Sequence, residues 1–293
     1  MSADSTTTRY RHVDADGVHV FYREAGDPAT PTLLLLHGFP TSSYMFRTLM
    51  SELAGSYHLV APDFPGFGFT EVPADRKYVY TFDAIAQTID AFVDALALTR
   101  YGLYVFDYGA PIGWRHAVRH PGRISAIVSQ NGNAYVEGLG PAWIPIRDYW
   151  RNPDLAHRDA IRAVLTLQGI SAKYLHGSGE DLVAPEAFML DYLLLQRPGN
   201  DEIQLDLFFD YANNLTQYAE VQAYFRFSQV PTLAICGRYD RSFIPAGADA
   251  FAKDNPNATV ELLEAGHFAI ETHVRHIARR IDEVLGAALR TRV

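Results

Sequence analysis

Short apolar runs alternate with longer stretches of helical period through the first part of the chain. Thr32–Leu36 is almost wholly apolar; His37-Gly38-Phe39-Pro40 follows it, and then a helical stretch over 42–54. Tyr57–Ala61 is a second such run and ends in Pro62-Asp63-Phe64-Pro65-Gly66-Phe67-Gly68. Phe82, Ile85, Ala86, Ile89, Phe92, Val93 and Leu96 then fall three or four apart, which predicts an amphipathic helix over 82–98. A strand-like run ends at Phe106, a helix-compatible run opens near Gly109, and Ile124–Ser129 reads as the next strand. Upstream, Tyr10–Val13 and Val18–Arg23 alternate in polarity around the turn Asp14-Ala15-Asp16-Gly17, which predicts a hairpin. Strands alternating with helices of this length imply parallel crossovers and a sheet covered on both faces. Double coverage explains why Leu33–Leu36 and Ala126–Val128 do not alternate.

The rhythm stops after Asn131. Residues 133–229 read as helical or irregular, rich in aromatics and poor in strand signals. The alternation returns with a strand at 231–236, a helix at 246–253, a strand at 259–263 and a final helix from about Thr272. The expected organisation is therefore an α/β core of residues 1–132 and 230–293 and a mainly helical cap of residues 133–229. Such an insertion sits over the carboxyl ends of the strands, where open α/β sheets place their ligands.

Composition adds exclusions. A chain of 293 residues, 48% apolar and 20% charged, has the balance of a globular protein able to bury a large core. With 25 Lys and Arg against 34 Asp and Glu, the formal charge of −9 argues against nucleic acid or another polyanion as partner. The single cysteine, Cys236, rules out a disulfide within the chain and reads as a buried strand residue. Met1–Thr8 reads as a loose polar tail without the apolar segment of a secretion signal, and no apolar run is long enough for a membrane span. The expectation is a cytoplasmic protein with no membrane partner; a homodimer is compatible with the sequence. His116/His120 and His273/His276 have helical spacings compatible with a metal. No carboxylate pattern accompanies them along the chain, so solvated helix faces are expected. No glycine-rich phosphate loop with its lysine is present, and no cofactor is expected.

The informative chemistry lies where strands end. Asp107, in Phe106-Asp107-Tyr108-Gly109, occupies a strand-to-helix turn of the nucleophile-elbow kind. A carboxylate there suits displacement at a saturated carbon, giving an ester that water then cleaves. Asp240 in Gly237-Arg238-Tyr239-Asp240 and His267 in Ala265-Gly266-His267-Phe268 also lie just past predicted strands. The chain order is nucleophile, acid, histidine. A rival acid position, past the strand ending near Ser129, holds the uncharged Gln130 and Asn131. Asp63 reads as a brace for the Pro62–Gly68 loop.

With these motifs the chain resembles the α/β-hydrolases of the epoxide hydrolase and haloalkane dehalogenase group. His37-Gly38-Phe39-Pro40 is similar to the oxyanion motif of epoxide hydrolases, and Thr41-Ser42-Ser43-Tyr44-Met45-Phe46-Arg47 is closer to that of haloalkane dehalogenases. The resemblance implies an α/β-hydrolase fold: a mostly parallel sheet, helices on both faces and a helical cap inserted after the sixth strand. It implies Asp107 as nucleophile, His267 as base for water, Asp240 as its partner, and the backbone N–H groups of Phe39 and Tyr108 as oxyanion hole. Epoxide hydrolases of this group use cap tyrosines to hold the leaving oxygen; Tyr149 and Tyr211 stand closest to those positions, with Tyr218 as fallback. Dehalogenases grip a halide through side-chain N–H donors, usually a tryptophan after the nucleophile and an asparagine after the His-Gly pair. Tyr108 and Phe39 depart from both, and Trp143 or Trp150 is left to supply a donor. Leaving-group logic thus favours an epoxide hydrolase for a small hydrophobic substrate. A haloalkane or haloacid dehalogenase is the alternative, and a non-catalytic binding protein a third reading.

Overall fold

The computed structural model describes residues 6–291. The first five positions of the expected polar tail lie outside the described residues. The core is one eight-stranded sheet formed by β1 (Arg9–Ala15), β2 (Val18–Ala25), β3 (Thr32–Leu36), β4 (His58–Pro62), β5 (Tyr101–Phe106), β6 (Ile124–Gln130), β7 (Thr232–Gly237) and β8 (Ala258–Leu263). The strand order is β1-β2-β4-β3-β5-β6-β7-β8. The β1–β2 hairpin and the β2–β4 pair are antiparallel, and every other pairing is parallel.

Helices cover both faces: α1 (Arg47–Leu53), α2 (Phe82–Ala95), α3 (Gly109–Arg119), then α4 to α8 in the insertion, and finally α9 (Pro245–Asp254) and α10 (Ala269–Arg290). The period predicted for α2 holds: Phe82, Ile85, Ala86, Ile89, Phe92 and Val93 are all buried, and Thr81 caps the helix by accepting from the Ala84 N–H. All of β5 and β6 is buried, as expected for strands covered on both sides.

Between β6 and β7 the chain is helical: α4 (Ile144–Arg151), α5 (Leu155–Ile161), α6 (Leu167–Leu175), α7 (Pro185–Leu195) and the long α8 (Asn200–Ser228), with short 3-10 turns between them. Named polar contacts tie this insertion to the core. Arg115 of α3 donates to Asn214 of α8 at 2.7 Å, and the Phe82 N–H donates to Asp210 at 2.8 Å. Tyr174 of α6 stacks on Phe268 with centroids 3.6 Å apart. Among the described residues no helix is long and apolar enough to cross a membrane.

Candidate active site

The turn after β5 forces Asp107 into the left-handed region, at φ 48°. An L-residue held there costs on the order of 1–3 kcal/mol and persists only where its surroundings impose it. Here they do, through two close approaches. A Cβ on Gly109 would lie 2.2 Å from the Leu36 carbonyl oxygen, so only glycine lets α3 start against the end of β3. A Cβ on Gly38 would lie 2.4 Å from the Asp107 Cβ. The elbow and the loop after β3 therefore touch backbone to side chain.

That contact aims two backbone donors at one oxygen. The N–H groups of Phe39 and Tyr108 donate to Asp107 Oδ1 at 2.8 and 2.7 Å. Buried His37 braces the loop from behind: its Nδ1 donates to the Gly38 carbonyl at 3.1 Å, and its Nε2 accepts from the Phe64 N–H at 3.0 Å. Burial drives its pKa down to about 3, so the ring is a neutral strut. Asp63 holds the neighbouring loop, with its two oxygens accepting from the Ser43 and Phe69 N–H groups at 2.7 and 2.8 Å.

Asp107 Oδ2 faces other groups. His267 Nε2 lies 3.2 Å away, and the Lys173 ammonium of α6 donates to it at 3.2 Å. Burial by itself pushes the Asp107 carboxyl up. The Lys173 charge, then the His267 ring and the Phe39 N–H, outweigh burial and bring it to about 2. Asp107 is thus ionised although only 2% exposed.

On the far side of the ring, His267 Nδ1 lies 2.8 Å from Asp240 Oδ2. A carboxylate partner there assigns the proton to Nδ1 and leaves Nε2 able to accept one. Asp240 is itself fixed, its Oδ2 accepting from Asn131 Nδ2 and its Oδ1 from the Ser242 N–H, both at 2.7 Å. The structure thus brings together Asp107, Asp240, His267 and the backbone of Phe39 and Tyr108.

These groups form the floor of a cavity of about 280 Å³, walled by apolar side chains that include Phe39, Trp143, Ile146, Val164 and Phe208. Tyr149, Tyr211, Tyr218 and Trp150 do not line it, which corrects the expectation that these residues meet the leaving group. The Tyr149 hydroxyl accepts from Arg158 at 3.1 Å. Tyr218 accepts from Asn133 Nδ2 at 3.1 Å, and Tyr211 packs behind Trp143 with centroids 4.2 Å apart. The Trp150 indole N–H is spent on the Phe208 carbonyl at 2.8 Å. Trp143 is the tryptophan that reaches the cavity, and its indole N–H is buried with no acceptor among the described residues.

Sequence reasoning missed Lys173 and Asn131. Lys173 sits in the helical stretch Ser171-Ala172-Lys173-Tyr174, where nothing sets it apart from a solvated lysine. Its helix is docked by the Tyr174–Phe268 stack, one residue from His267, and that docking carries Lys173 to Asp107. Asn131 was legible only as an uncharged occupant of the rival acid position; its φ of 47° turns the amide toward Asp240. A second correction concerns His116 and His120. Asp90 of α2 joins them, so a carboxylate does accompany the pair in space. That carboxylate is already bonded to His116 at 2.5 Å and to Arg119 at 2.7 Å. The other ring nitrogen of His116 meets the Tyr101 hydroxyl. The cluster is a closed hydrogen-bond network that fastens α2 to α3.

Comparison with known proteins gives the family. The α/β-hydrolase fold family matches residues 31–274. Over 271 residues the chain is 45% identical to "Uncharacterized hydrolase YNR064C" of Saccharomyces cerevisiae, covering 91% of this chain and 93% of that one. It is 31% identical to "Epoxide hydrolase 3" of Xenopus tropicalis over 42% of this chain and 33% of that protein. It is 36% identical to "Haloalkane dehalogenase" of Mycobacterium marinum over 41% of this chain and 40% of that protein. The crystal structure of haloalkane dehalogenase DbeA from Bradyrhizobium elkani superimposes with a TM-score of 0.79 at 24% identity, covering 96% of this chain and 99% of that one, which speaks for the fold alone. The chain belongs to the α/β-hydrolase fold family. Within it the chain is a hydrolase with epoxide hydrolase and haloalkane dehalogenase relatives.

Proposed function

We propose that the protein hydrolyses small epoxides through a covalent ester on Asp107, with residues 133–229 acting as a cap over the site. The observation that carries this reading is the division of one carboxylate between two environments. Oδ1 is held by two backbone N–H groups, while Oδ2 faces the cavity beside His267. Oδ2 attacks the epoxide carbon, the C–O bond opens, its oxygen takes up a proton from an acid in the site, and Asp107 becomes a β-hydroxyalkyl ester. Water bound at His267 Nε2 then gives up a proton and adds to the Asp107 carbonyl carbon. The charge that develops on Oδ1 falls between the Phe39 and Tyr108 N–H groups, where fixed dipoles stabilise it without reorganising. Collapse of this intermediate breaks the bond between the carbonyl carbon and Oδ2, the departing oxygen takes back the proton held by His267, a diol leaves, and Asp107 gives up the second water proton to become a carboxylate again. Asp240 keeps the ring in the required tautomer throughout.

Two features support an electrophile that enters as a neutral, apolar molecule. The walls are largely hydrocarbon, and the cavity is small. The full set of groups needed for turnover also argues against a binding protein, which has no use for a base placed to activate water.

The test is mass spectrometry of His267→Gln incubated separately with styrene oxide and 1-bromobutane. The epoxide should add its mass to the Asp107 peptide, and the ester should persist because no base activates water. Absence of any adduct from either reagent, in a folded variant, would overturn the nucleophile assignment. The unpaired Trp143 indole N–H favours a second reading, halide displacement, because it offers a donor to a departing anion. An adduct from the bromide alone, with bromide released, would establish that reading instead.

A further inference from the structure

Opening an epoxide leaves an alkoxide on the carbon next to the one attacked, and a proton must reach it. We propose that Lys173 is the acid that supplies this proton, a role that rests on the reading of Asp107 as nucleophile. Its ammonium lies 3.2 Å from Asp107 Oδ2 and 3.1 Å from the Phe39 carbonyl oxygen, on the cavity side of the attacking atom. An ammonium has three N–H bonds. Two are accounted for by these acceptors, and the third is left for the substrate oxygen. Nζ also stands 5.0 Å from the centroid of the Phe39 ring, which holds the chain across the cavity wall.

The charge balance of the step favours this assignment. Before reaction the buried site holds a carboxylate and an ammonium, paired. During reaction the Oδ2–C bond forms, the epoxide C–O bond breaks, and its electron pair takes a proton from Nζ. Afterwards the site holds a neutral ester, a neutral hydroxyl and a neutral amine. Both partners of the ion pair discharge together, so no unpaired charge is stranded in a low-dielectric site, where it would be strongly disfavoured. An alkoxide is far more basic than an amine, so the transfer runs downhill.

The tyrosine hydroxyls fit less well. The hydroxyls of Tyr149, Tyr211 and Tyr218 lie outside the cavity lining. Tyr108 lines it and its buried hydroxyl has no partner among the described residues, but that burial closes it off from the solvent that must reload an acid. An acid must also be reloaded each turnover. The Lys173 side chain is 19% exposed and can regain its proton from solvent.

The experiment follows Asp107 ester formation by rapid quench and peptide mass spectrometry in three proteins: His267→Gln, and the same with Lys173→Met or Lys173→Arg. The substrates are methyl oxirane and trifluoromethyl oxirane, whose released alkoxide is much less basic. Lys173→Met should slow ester formation from methyl oxirane by about 100-fold or more, the scale of a lost general acid. It should slow the trifluoromethyl substrate far less. Lys173→Arg keeps the charge beside Asp107 but is a poor proton donor, and should remain slow with methyl oxirane. Equal losses on both substrates, or recovery by arginine, would reduce Lys173 to positioning Asp107 and overturn the proposal. An undiminished rate in Lys173→Met would overturn it outright. If the parent His267→Gln forms no ester from either oxirane, the nucleophile reading fails first and this proposal falls with it. Thermal unfolding of both variants separates a lost acid from a lost fold, and arginine supplies the readout should methionine fail to fold.

Discussion

Gly38→Ala tests the cradle around Asp107 Oδ1 without replacing any titratable group. The new Cβ would lie 2.4 Å from the Asp107 Cβ and 2.7 Å from Oδ1. Ordinary contacts between such atoms are about 3.5–4.0 Å, so elbow and loop must separate by roughly 1 Å. The Phe39 N–H now sits 2.8 Å from Oδ1, and a displacement of that size carries it beyond hydrogen-bond range. Loss of one oxyanion donor costs about 10²–10³ in kcat, or about 2.7–4 kcal/mol. The two half-reactions should not suffer equally. When Oδ2 is alkylated, Oδ1 loses negative charge and needs the donors less. When water adds to the ester, Oδ1 gains charge and needs them most. Gly38→Ala should therefore alkylate at a near-normal rate and hydrolyse slowly, so the Asp107 ester accumulates even with His267 in place. Rapid quench with peptide mass spectrometry measures the esterified fraction, and thermal unfolding measures the crowding cost, about 1–3 kcal/mol. An unchanged kcat would refute the close approach. A slowed alkylation with no accumulated ester would refute the oxyanion role and leave the cradle as a positioning device.

Three further outcomes follow from single contacts. Asn131→Gly keeps the backbone at positive φ but removes the donor to Asp240, and should destabilise the protein by about 1.5–3 kcal/mol while lowering kcat; an unchanged urea midpoint would dismiss that bond. Buried Asp191, which accepts from the Tyr174 hydroxyl, has its pKa pushed well above the ordinary carboxyl value by burial. The folded state then holds this proton more tightly than the unfolded one, so its contribution is fully present below the unfolded pKa, about 4, and is lost as pH rises toward the folded value. Asp191→Asn should flatten that fall, by up to about 1.4 kcal/mol per pH unit in the window; urea melts from pH 4 to 8 with the same slope in both proteins would refute it. Trp143→Phe should leave epoxide opening near its original rate, and a specific loss of bromide release would strengthen the halide reading.

The sequence carried the core and triad further than the insertion for a physical reason. Asp107, Asp240 and His267 each follow a strand, and in a parallel sheet with right-handed crossovers the strand ends converge on one edge. Locating the strands therefore nearly locates the side chains, although α10 begins at Ala269, slightly before the expected Thr272. No such rule applies to α8. Phe208 and Tyr211 are three residues apart on one helix, yet Phe208 lines the cavity and Tyr211 is tucked behind Trp143. Aromatics surround that helix, so periodicity does not say which one meets the substrate. The distance from Asp107 along the chain pointed to Tyr149, but its hydroxyl turns to Arg158. Asp90 illustrates the same gap: it approaches His116 across two helices, and no spacing in the sequence announces it.

The insertion does more than shield the site if Lys173 acts as proposed. On the proposed mechanism, groups set by core strand ends and elbow geometry, namely the Phe39 and Tyr108 N–H pair, His267 and Asp240, would serve the hydrolysis of an ester, whatever made it. The group on the other side of Oδ2 comes from α6 and bears on how the ester forms. Changing residue 173 should then alter which electrophiles alkylate Asp107 and leave the lifetime of a given ester nearly untouched, while Gly38→Ala should do the reverse. In Lys173→Met with His267 intact, an ester delivered from trifluoromethyl oxirane should decay at the wild-type rate in single-turnover quench. A slowed decay would mean that Lys173 also shapes the water-activating half of the site, and the division of labour between core and insertion would fail.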